Sequence, residues 1–164
     1  MADNHNVKPS ADKVDTGVEK AKQIADGLSQ AVADTYRMVF KTHAYHWNVE
    51  GPLFYSVHKL TEEQYNDMFQ AADEMAERIR ALGQLTPSTL KHLEDLSIIK
   101  DKAQLPSAVD MCEDLASSHE QVAKRMHDLI ELADENGDPV TADMITARSQ
   151  FHEQAAWMLR AIAK

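Results

Sequence analysis

Four long stretches of the chain repeat apolar residues every three or four positions, which is the period of an α-helix with one buried face. These stretches cover residues 17–47, 53–82, 107–136 and 138 to near the C-terminus. A shorter periodic piece, residues 89–99, lies between the second and third stretches. The pattern predicts an all-α fold, a four-helix bundle with a short extra helix in the connection between helices two and three.

Residues that break or cap helices stand at the ends of these stretches. Pro52 and Pro139 suit a first helical turn, where a missing N–H does no harm, and Gly83 suits the position after a helix. Ser107 and Asp138 are side chains that cap helix N-termini. The connection at 84–106 is too long for a hairpin, so we expect the third helix to run parallel to the second.

The buried face of each helix can be predicted from the spacing of its apolar residues. In the second helix this face comprises Val57, Leu60, Met68, Met75, Ile79 and Leu82. In the fourth helix it comprises Val140, Met144, Phe151, Ala155, Met158 and Ile162. In the first helix the same spacing ends on His46, which is therefore expected to face inward.

Composition fits one helical domain. The chain has 164 residues, 43% of them hydrophobic, with only 5 Gly and 5 Pro. No apolar run is long enough to cross a membrane, and the first residues lack the apolar segment of a signal peptide. The single Cys excludes an internal disulfide framework and favours a cytoplasmic location. Residues 1–16 are polar and unpatterned, so we predict a flexible tail before a bundle at 17–164.

Charge argues against strong nucleic-acid binding. The net charge is −10, and the four lysines up to residue 22 are balanced by four acidic residues. A phosphate-binding arm needs an excess of cations. We therefore expect attraction to nucleic acid to be weak.

Two pairs of ionisable residues lie on the second predicted helix. His58 and Glu62 form one pair and Asp73 and Glu77 the other, each four residues apart and so on one helix face. Eleven residues separate Glu62 from Asp73, which places the pairs on nearly the same face but about 16 Å apart along the axis. One metal ion cannot join them within a single helix, because metal–ligand bonds are only about 2 Å long.

A partner chain would bring the two pairs together. Tyr65 and Phe69 lie between the pairs, and this second apolar face predicts a partner helix. If a two-fold axis crosses near Tyr65 and Phe69, the first pair of one chain meets the second pair of the other, twice by symmetry. His46 would complete a mixed N/O site suited to iron, manganese or zinc. The alternative is that these residues are solvated charges beside ordinary packing aromatics, with His46 and Trp47 as core groups.

The same stretch carries a long family motif. The matching residues are His46-Trp47-Asn48-Val49, Gly51, Phe54, His58, Asp73, Ala76-Glu77-Arg78 and Leu82-Gly83. In this pattern the chain resembles the Dps family (DNA-binding protein from starved cells, the mini-ferritins). The resemblance implies a ferritin-like four-helix bundle. It also implies a homo-oligomeric shell of twelve subunits, a dodecamer, that oxidises Fe(II), preferably with hydrogen peroxide, and stores ferric mineral against oxidative stress.

The resemblance also implies which residues form the ferroxidase site, a site for two irons shared across a two-fold dimer interface. The implied metal ligands are His46, His58, Glu62, Asp73 and Glu77, of which the last two come from the neighbouring subunit. In the family a Trp at position 47 lies beside the metal and quenches stray oxidants. The family usually has Asp where this chain has Glu62, so occupancy of the second iron position is open. No His here follows a Glu by three residues, which argues against an iron centre inside the bundle.

Two acidic residues at the start of the fourth helix have two interpretations. By resemblance, Asp138 and Asp143 line pores through which Fe²⁺ enters the shell, where negative charge concentrates cations. The alternative is helix capping, since acids near an N-terminus offset the helix dipole.

Two rival functions also remain open for the whole protein. One is a nucleoid-compacting DNA-binding stress protein with secondary metal chemistry, and the other is a structural helical oligomer with an inactive site.

Overall fold

The computed structural model describes residues 7–164, which form five α-helices and no strand. The helices are α1 (Ala21–Asn48), α2 (Phe54–Ala81), α3 (Leu90–Leu96), α4 (Ala108–Glu135) and α5 (Pro139–Ile162). The prediction of an all-α bundle with a short additional helix in the crossover is therefore confirmed. None of the helices in this part of the chain meets the length and hydropathy needed to cross a membrane.

Two antiparallel hairpins, α1–α2 and α4–α5, pack together to make the bundle. The Glu19 amide, just before α1, donates to the carbonyl of Asn136 at the end of α4 (3.0 Å). Arg78, near the end of α2, donates to Asp138 at the start of α5 (2.6 Å). Because α1 starts where α4 ends, and α2 ends where α5 starts, α2 and α4 run in the same direction, as predicted from the long connection.

Predicted helix ends agree with the observed caps. The Ser107 hydroxyl accepts from the Asp110 amide (3.2 Å), and the Asp138 carboxylate accepts from the Thr141 amide (2.9 Å). Gly83 has φ +79° and follows α2 as a C-terminal cap. Each cap satisfies a backbone group that the helix itself leaves unpaired.

The buried faces of α1, α2 and α4 lie close to the predicted ones, but the predicted face of α5 is rotated from the real one. Val140 is 55% exposed, and Met144, Phe151 and Met158 are only partly buried at the edge of the core. The buried residues of α5 are Thr141, Ala142, Ile145, Ser149, His152, Ala155, Ala156 and Leu159. This face contains many small or polar residues, so hydrophobicity alone selects the neighbouring face.

A buried carboxylate fixes the crossover to the bundle. Asp34 of α1 is 1% exposed and accepts from the Ser97 hydroxyl (2.8 Å), the Ile98 amide (2.9 Å) and the Arg125 guanidinium (3.1 Å). Burial raises the pKa of this carboxyl, while the hydrogen bonds and Arg125 act in the opposite direction. The network joins the end of α3 to α1 and α4 and so anchors the connection to the bundle.

The N-terminal segment lies against the end of α2. The predicted tail at 1–16 falls partly outside the described residues; from residue 7 to 20 the chain has no helix. The Val14 amide donates to the Ala81 carbonyl (3.0 Å), and Arg80 donates to the Ser10 carbonyl (2.9 Å). A Cβ on Gly83 would lie 2.5 Å from the Cβ of Lys13. Glycine at position 83 therefore permits this close approach of Lys13. The division of the chain into a tail at 1–16 and a bundle at 17–164 stays a prediction.

Candidate metal centre

Two histidines meet where α1 ends and α2 begins. Gly51, with φ +87°, makes the turn between the helices. His46 Nδ1 lies 2.8 Å from the His58 carbonyl oxygen, and His58 Nδ1 lies 3.0 Å from the His46 carbonyl oxygen. The two rings stack with centroids 3.8 Å apart. The pair is thus held by reciprocal hydrogen bonds between side chain and backbone.

These hydrogen bonds determine the tautomer of both rings. A carbonyl oxygen only accepts, so each Nδ1 carries the proton and each Nε2 keeps its lone pair. The buried Thr61 hydroxyl donates to the Val57 carbonyl (2.6 Å) and lies 3.3 Å from His46 Nδ1. A histidine whose Nδ1–H is held by a carbonyl while Nε2 is free is the usual form of a metal-binding histidine.

Glu62 lies one turn after His58 but is bound to another side chain. The ammonium group of Lys59 donates to Glu62 Oε2 at 2.9 Å. This hydrogen bond, followed by the charge of Lys59, lowers the pKa of Glu62. The carboxylate is therefore anionic at neutral pH.

Asp73 and Glu77 lie further along α2 and are exposed to solvent. Within residues 7–164, no three His, Cys, Asp or Glu side chains of one chain come close enough to hold a metal ion. The structure therefore brings His46 and His58 together, places Glu62 one turn of α2 after His58, and leaves Asp73 and Glu77 further along the helix. A single subunit contains part of the predicted ligand set.

The surface around these residues is unusually aromatic. Exposed rings from α1 and α2 include Phe40, Trp47, Phe54, Tyr55 and Phe69. Trp47 is 61% exposed and stacks on His43, with centroids 4.6 Å apart. Large exposed apolar patches on a folded chain mark interaction surfaces. Trp47 is therefore not a core residue of the subunit, and the candidate ligands border a surface suited to a partner.

Comparison with known proteins places this geometry in a family. Residues 25–164 match the family model of the ferritin-like domain. The chain is 34% identical over 140 residues to DNA protection during starvation protein 2 of Bacillus anthracis, covering 85% of this chain and 96% of that protein. It belongs to the Dps family of ferritin-like proteins.

Other relatives agree with this assignment. A low temperature-induced protein of Nostoc is 38% identical over 144 residues, which cover 87% of this chain and 80% of that protein. The crystal structure of Dps from Staphylococcus aureus superposes with a TM-score of 0.84 at 34% identity, covering 87% of this chain and 96% of that one. The recognition of a Dps-type, ferritin-like fold from sequence is confirmed.

The two predicted pore residues of this Dps-family chain differ in their surroundings. Asp138 is fully buried; its carboxylate accepts from Arg78 (2.6 Å) and from the amide and hydroxyl of Thr141 (2.9 and 2.5 Å). Asp143 is exposed. Asp138 therefore acts as a helix cap within the subunit, and pore lining stays a prediction for both residues.

Sequence reasoning missed Lys59. Lys59 binds Glu62, and an i,i+3 pair of opposite charges on a helix is a signal that could have identified it. His43 and His46 are three residues apart and could pair on a metal, but the family motif favours His46 alone. His43 lies between Trp47 and Tyr65, with its ring centroid 3.8 Å from that of Tyr65. Burial, followed by the neighbouring His46, lowers the pKa of His43. Its spacing alone gave no reason to prefer stacking over metal binding.

Proposed function

We propose that this chain is an iron-storing mini-ferritin with ferroxidase activity. Subunits assemble into a hollow shell of twelve, Fe²⁺ is oxidised at sites between paired subunits, preferably by hydrogen peroxide, and the ferric product is stored inside. The observation that carries the proposal is the reciprocal His46–His58 pair. It leaves two Nε2 lone pairs one helical turn before the anionic Glu62, at the edge of an exposed aromatic surface.

The iron ligands come from two subunits in this proposal. His46, His58 and Glu62 of one subunit face Asp73 and Glu77 of its partner, and a two-fold axis creates the same site twice. The absence of any three-residue metal cluster within residues 7–164 of one chain supports a shared site. The exposed aromatic rings of α1 and α2 supply the apolar area that such a dimer interface buries.

Iron is the substrate of this reaction, and the ligand set favours its oxidation. Imidazole nitrogen with carboxylate oxygen is suited to iron, and anionic oxygen ligands stabilise Fe³⁺ more than Fe²⁺ by simple charge attraction. Two Fe²⁺ each give one electron to one hydrogen peroxide, which takes up two protons and becomes two water molecules. Because the electrons are transferred in pairs, release of hydroxyl radical is avoided. The exposed Trp47 lies where it intercepts any stray oxidant.

Acidic residues outside the site have supporting roles in the proposal. Asp143, which is exposed, is the better of the two candidates for a pore that attracts Fe²⁺. Glu63 and Asp67 are exposed carboxylates on α2 that would nucleate ferric mineral if they face the shell interior. A cytoplasmic protein with these activities would protect against oxidative stress, and one relative is named general stress protein 20U of Bacillus subtilis.

A second candidate function is compaction of DNA, with nucleoid association. It is favoured by the name of several relatives, DNA protection during starvation protein. The net charge of −10 opposes it, because binding to phosphates needs clustered cations. A gel-shift assay at low and moderate salt separates the two functions, since retention of DNA that weakens steeply with salt would support the DNA-binding candidate.

Rapid-mixing absorbance tests the ferroxidase proposal. Metal-free protein receives about two Fe²⁺ per site and then hydrogen peroxide or O₂, while ferric formation is followed. We expect fast oxidation with peroxide, slower oxidation with O₂, and a soluble product. His58→Ala should reduce the rate to that of buffer, whereas His127→Ala, a histidine of α4 away from the site, should not. Oxidation by the unaltered protein at the rate of buffer would overturn the proposal.

A further inference from the structure

The candidate site includes an ion pair, between Lys59 and Glu62, that the proposed function does not use. Their side chains are 52% and 41% exposed, and Lys59 Nζ lies 2.9 Å from Glu62 Oε2. Lys59 directly follows His58 on α2, so the ammonium group and the His58 ring start from neighbouring positions, about one turn before Glu62. Lys59 is not one of the proposed ligands, yet its ammonium group contacts one of them.

The pair has a consequence for metal binding. A carboxylate that accepts a hydrogen bond from an ammonium group must give up or share that contact to bind a metal ion. The side chain of Glu is one methylene longer than that of Asp, which gives Glu62 the reach to alternate between Lys59 and a metal.

We propose that Lys59 is a positioning residue that holds Glu62 away from the metal until iron arrives and so weakens the second of the two metal-binding steps. This inference rests on the proposed shared site. His46 and His58 are held in place by their hydrogen bonds, and binding of the first ion does not require Glu62. The second ion depends on Glu62 and therefore competes with Lys59.

The size of the effect follows from the strength of such pairs. An exposed ion pair is weak, so its removal should strengthen binding of the second ion by no more than about fivefold. A pair that serves only to stabilise the helix would leave metal affinity unchanged and would slightly lower the stability of α2.

Titration with Co²⁺ alone, followed by visible absorbance and calorimetry, tests the proposal without relying on turnover. Lys59→Gln should strengthen the weaker binding step by about two- to fivefold, and Lys59→Arg should behave like the unaltered protein. The matched control is Lys22→Gln, which removes the same charge from an exposed ion pair with Asp26 at the start of α1. That control should leave both steps unchanged.

A double variant identifies the route of the effect. In a Glu62→Gln background, Lys59→Gln should no longer strengthen Co²⁺ binding, because the competing carboxylate is gone. Unchanged affinity in Lys59→Gln, or an equal gain in the Glu62→Gln background, would overturn the role of Lys59. Absence of saturable Co²⁺ binding in the unaltered protein, with no difference in His58→Ala, would instead overturn the proposed function on which it rests.

Discussion

The bundle core contains a pair of histidines whose burial predicts acid sensitivity. His119 of α4 and His152 of α5 are both fully buried, and their Nδ1 atoms lie 2.8 Å apart. One ring donates to the other, so the space between them holds a single proton. The Nε2 atoms of both rings are buried without a protein partner. The hydrogen bond between the two Nδ1 atoms requires one of them to be deprotonated, so both rings cannot be charged at once without breaking it.

Protonation of these rings is strongly opposed in the folded state. Burial, followed by the charge of Arg148, lowers the pKa of His119 to about 3. Burial, His119 and Arg148 hold the pKa of His152 well below its usual range. Arg148 itself is bound to Asp67 of α2 (2.7 Å). In the unfolded chain each histidine titrates near pH 6.5. Below that pH the unfolded state therefore binds protons that the folded state does not.

The magnitude follows from proton linkage. Because the folded pKa values are lowered, the stabilisation is complete above pH 6.5 and is lost as the pH falls below it. Between pH 7 and pH 5, each histidine should remove about 2 kcal/mol from the free energy of unfolding, and the pair roughly 4 kcal/mol. The loss should continue at lower pH until the folded-state values are reached.

Denaturant unfolding at a series of pH values, at one protein concentration, measures this effect. We expect the double variant His119→Leu/His152→Leu to lose about 4 kcal/mol less than the unaltered chain between pH 7 and 5. His92→Gln, which changes an exposed histidine of α3, should retain the full loss. An equal dependence on pH in the unaltered chain and the double variant would refute the reasoning.

Three further predictions concern the contacts that shape the bundle. Asp138→Ala should lower the free energy of unfolding by about 2–4 kcal/mol, because it removes a helix cap and leaves Arg78 without its partner. Thermal denaturation measures this change, and a loss below about 0.5 kcal/mol would contradict the prediction. Asp34→Ala should destabilise by a similar amount, about 2–4 kcal/mol, and should speed proteolysis at 84–106, whereas unchanged cleavage there would contradict the anchoring role. Gly83→Ala and Gly51→Ala both place a side chain at positive φ, and each should lower the free energy of unfolding by about 1 kcal/mol. Only Gly83→Ala should also speed proteolytic cleavage at 7–16, because its Cβ would collide with Lys13, whereas nothing lies within 4 Å of a Cβ at Gly51.

Much of this fold could be predicted because local signals agree along the chain. Helix caps such as Ser107, Asp138 and Gly83 coincide with changes in apolar periodicity, so the ends of the main helices are specified twice. The face of α5 was predicted wrongly, because Thr141, Ser149 and His152 are buried by tertiary contacts that hydropathy does not represent. Likewise, the buried Asp34 is stabilised by partners from two distant segments, Ser97–Ile98 after α3 and Arg125 in α4.

The candidate site, like the fold, could be predicted only in part from the sequence. The spacing of His58, Glu62, Asp73 and Glu77 is a local property and could be interpreted from sequence. The reciprocal bonds of His46 and His58 depend on how the turn at Gly51 brings two helix ends together. The engagement of Glu62 by Lys59 depends on side-chain conformation. Neither can be derived from the pattern of residue types alone.

Complementation between two inactive variants tests most directly the central claim that each site is shared by two subunits. His58→Ala and Glu77→Gln chains with different tags are produced in one cell, and oligomers carrying both tags are isolated. By two-fold symmetry each mixed dimer has one site with both changes and one intact site, so random pairing restores about one quarter of the ferroxidase sites. We predict about one quarter of the unaltered peroxide-dependent rate of Fe²⁺ oxidation, while each variant alone stays at the rate of buffer. Mixed oligomers that oxidise Fe²⁺ no faster than the separate variants would contradict a shared site.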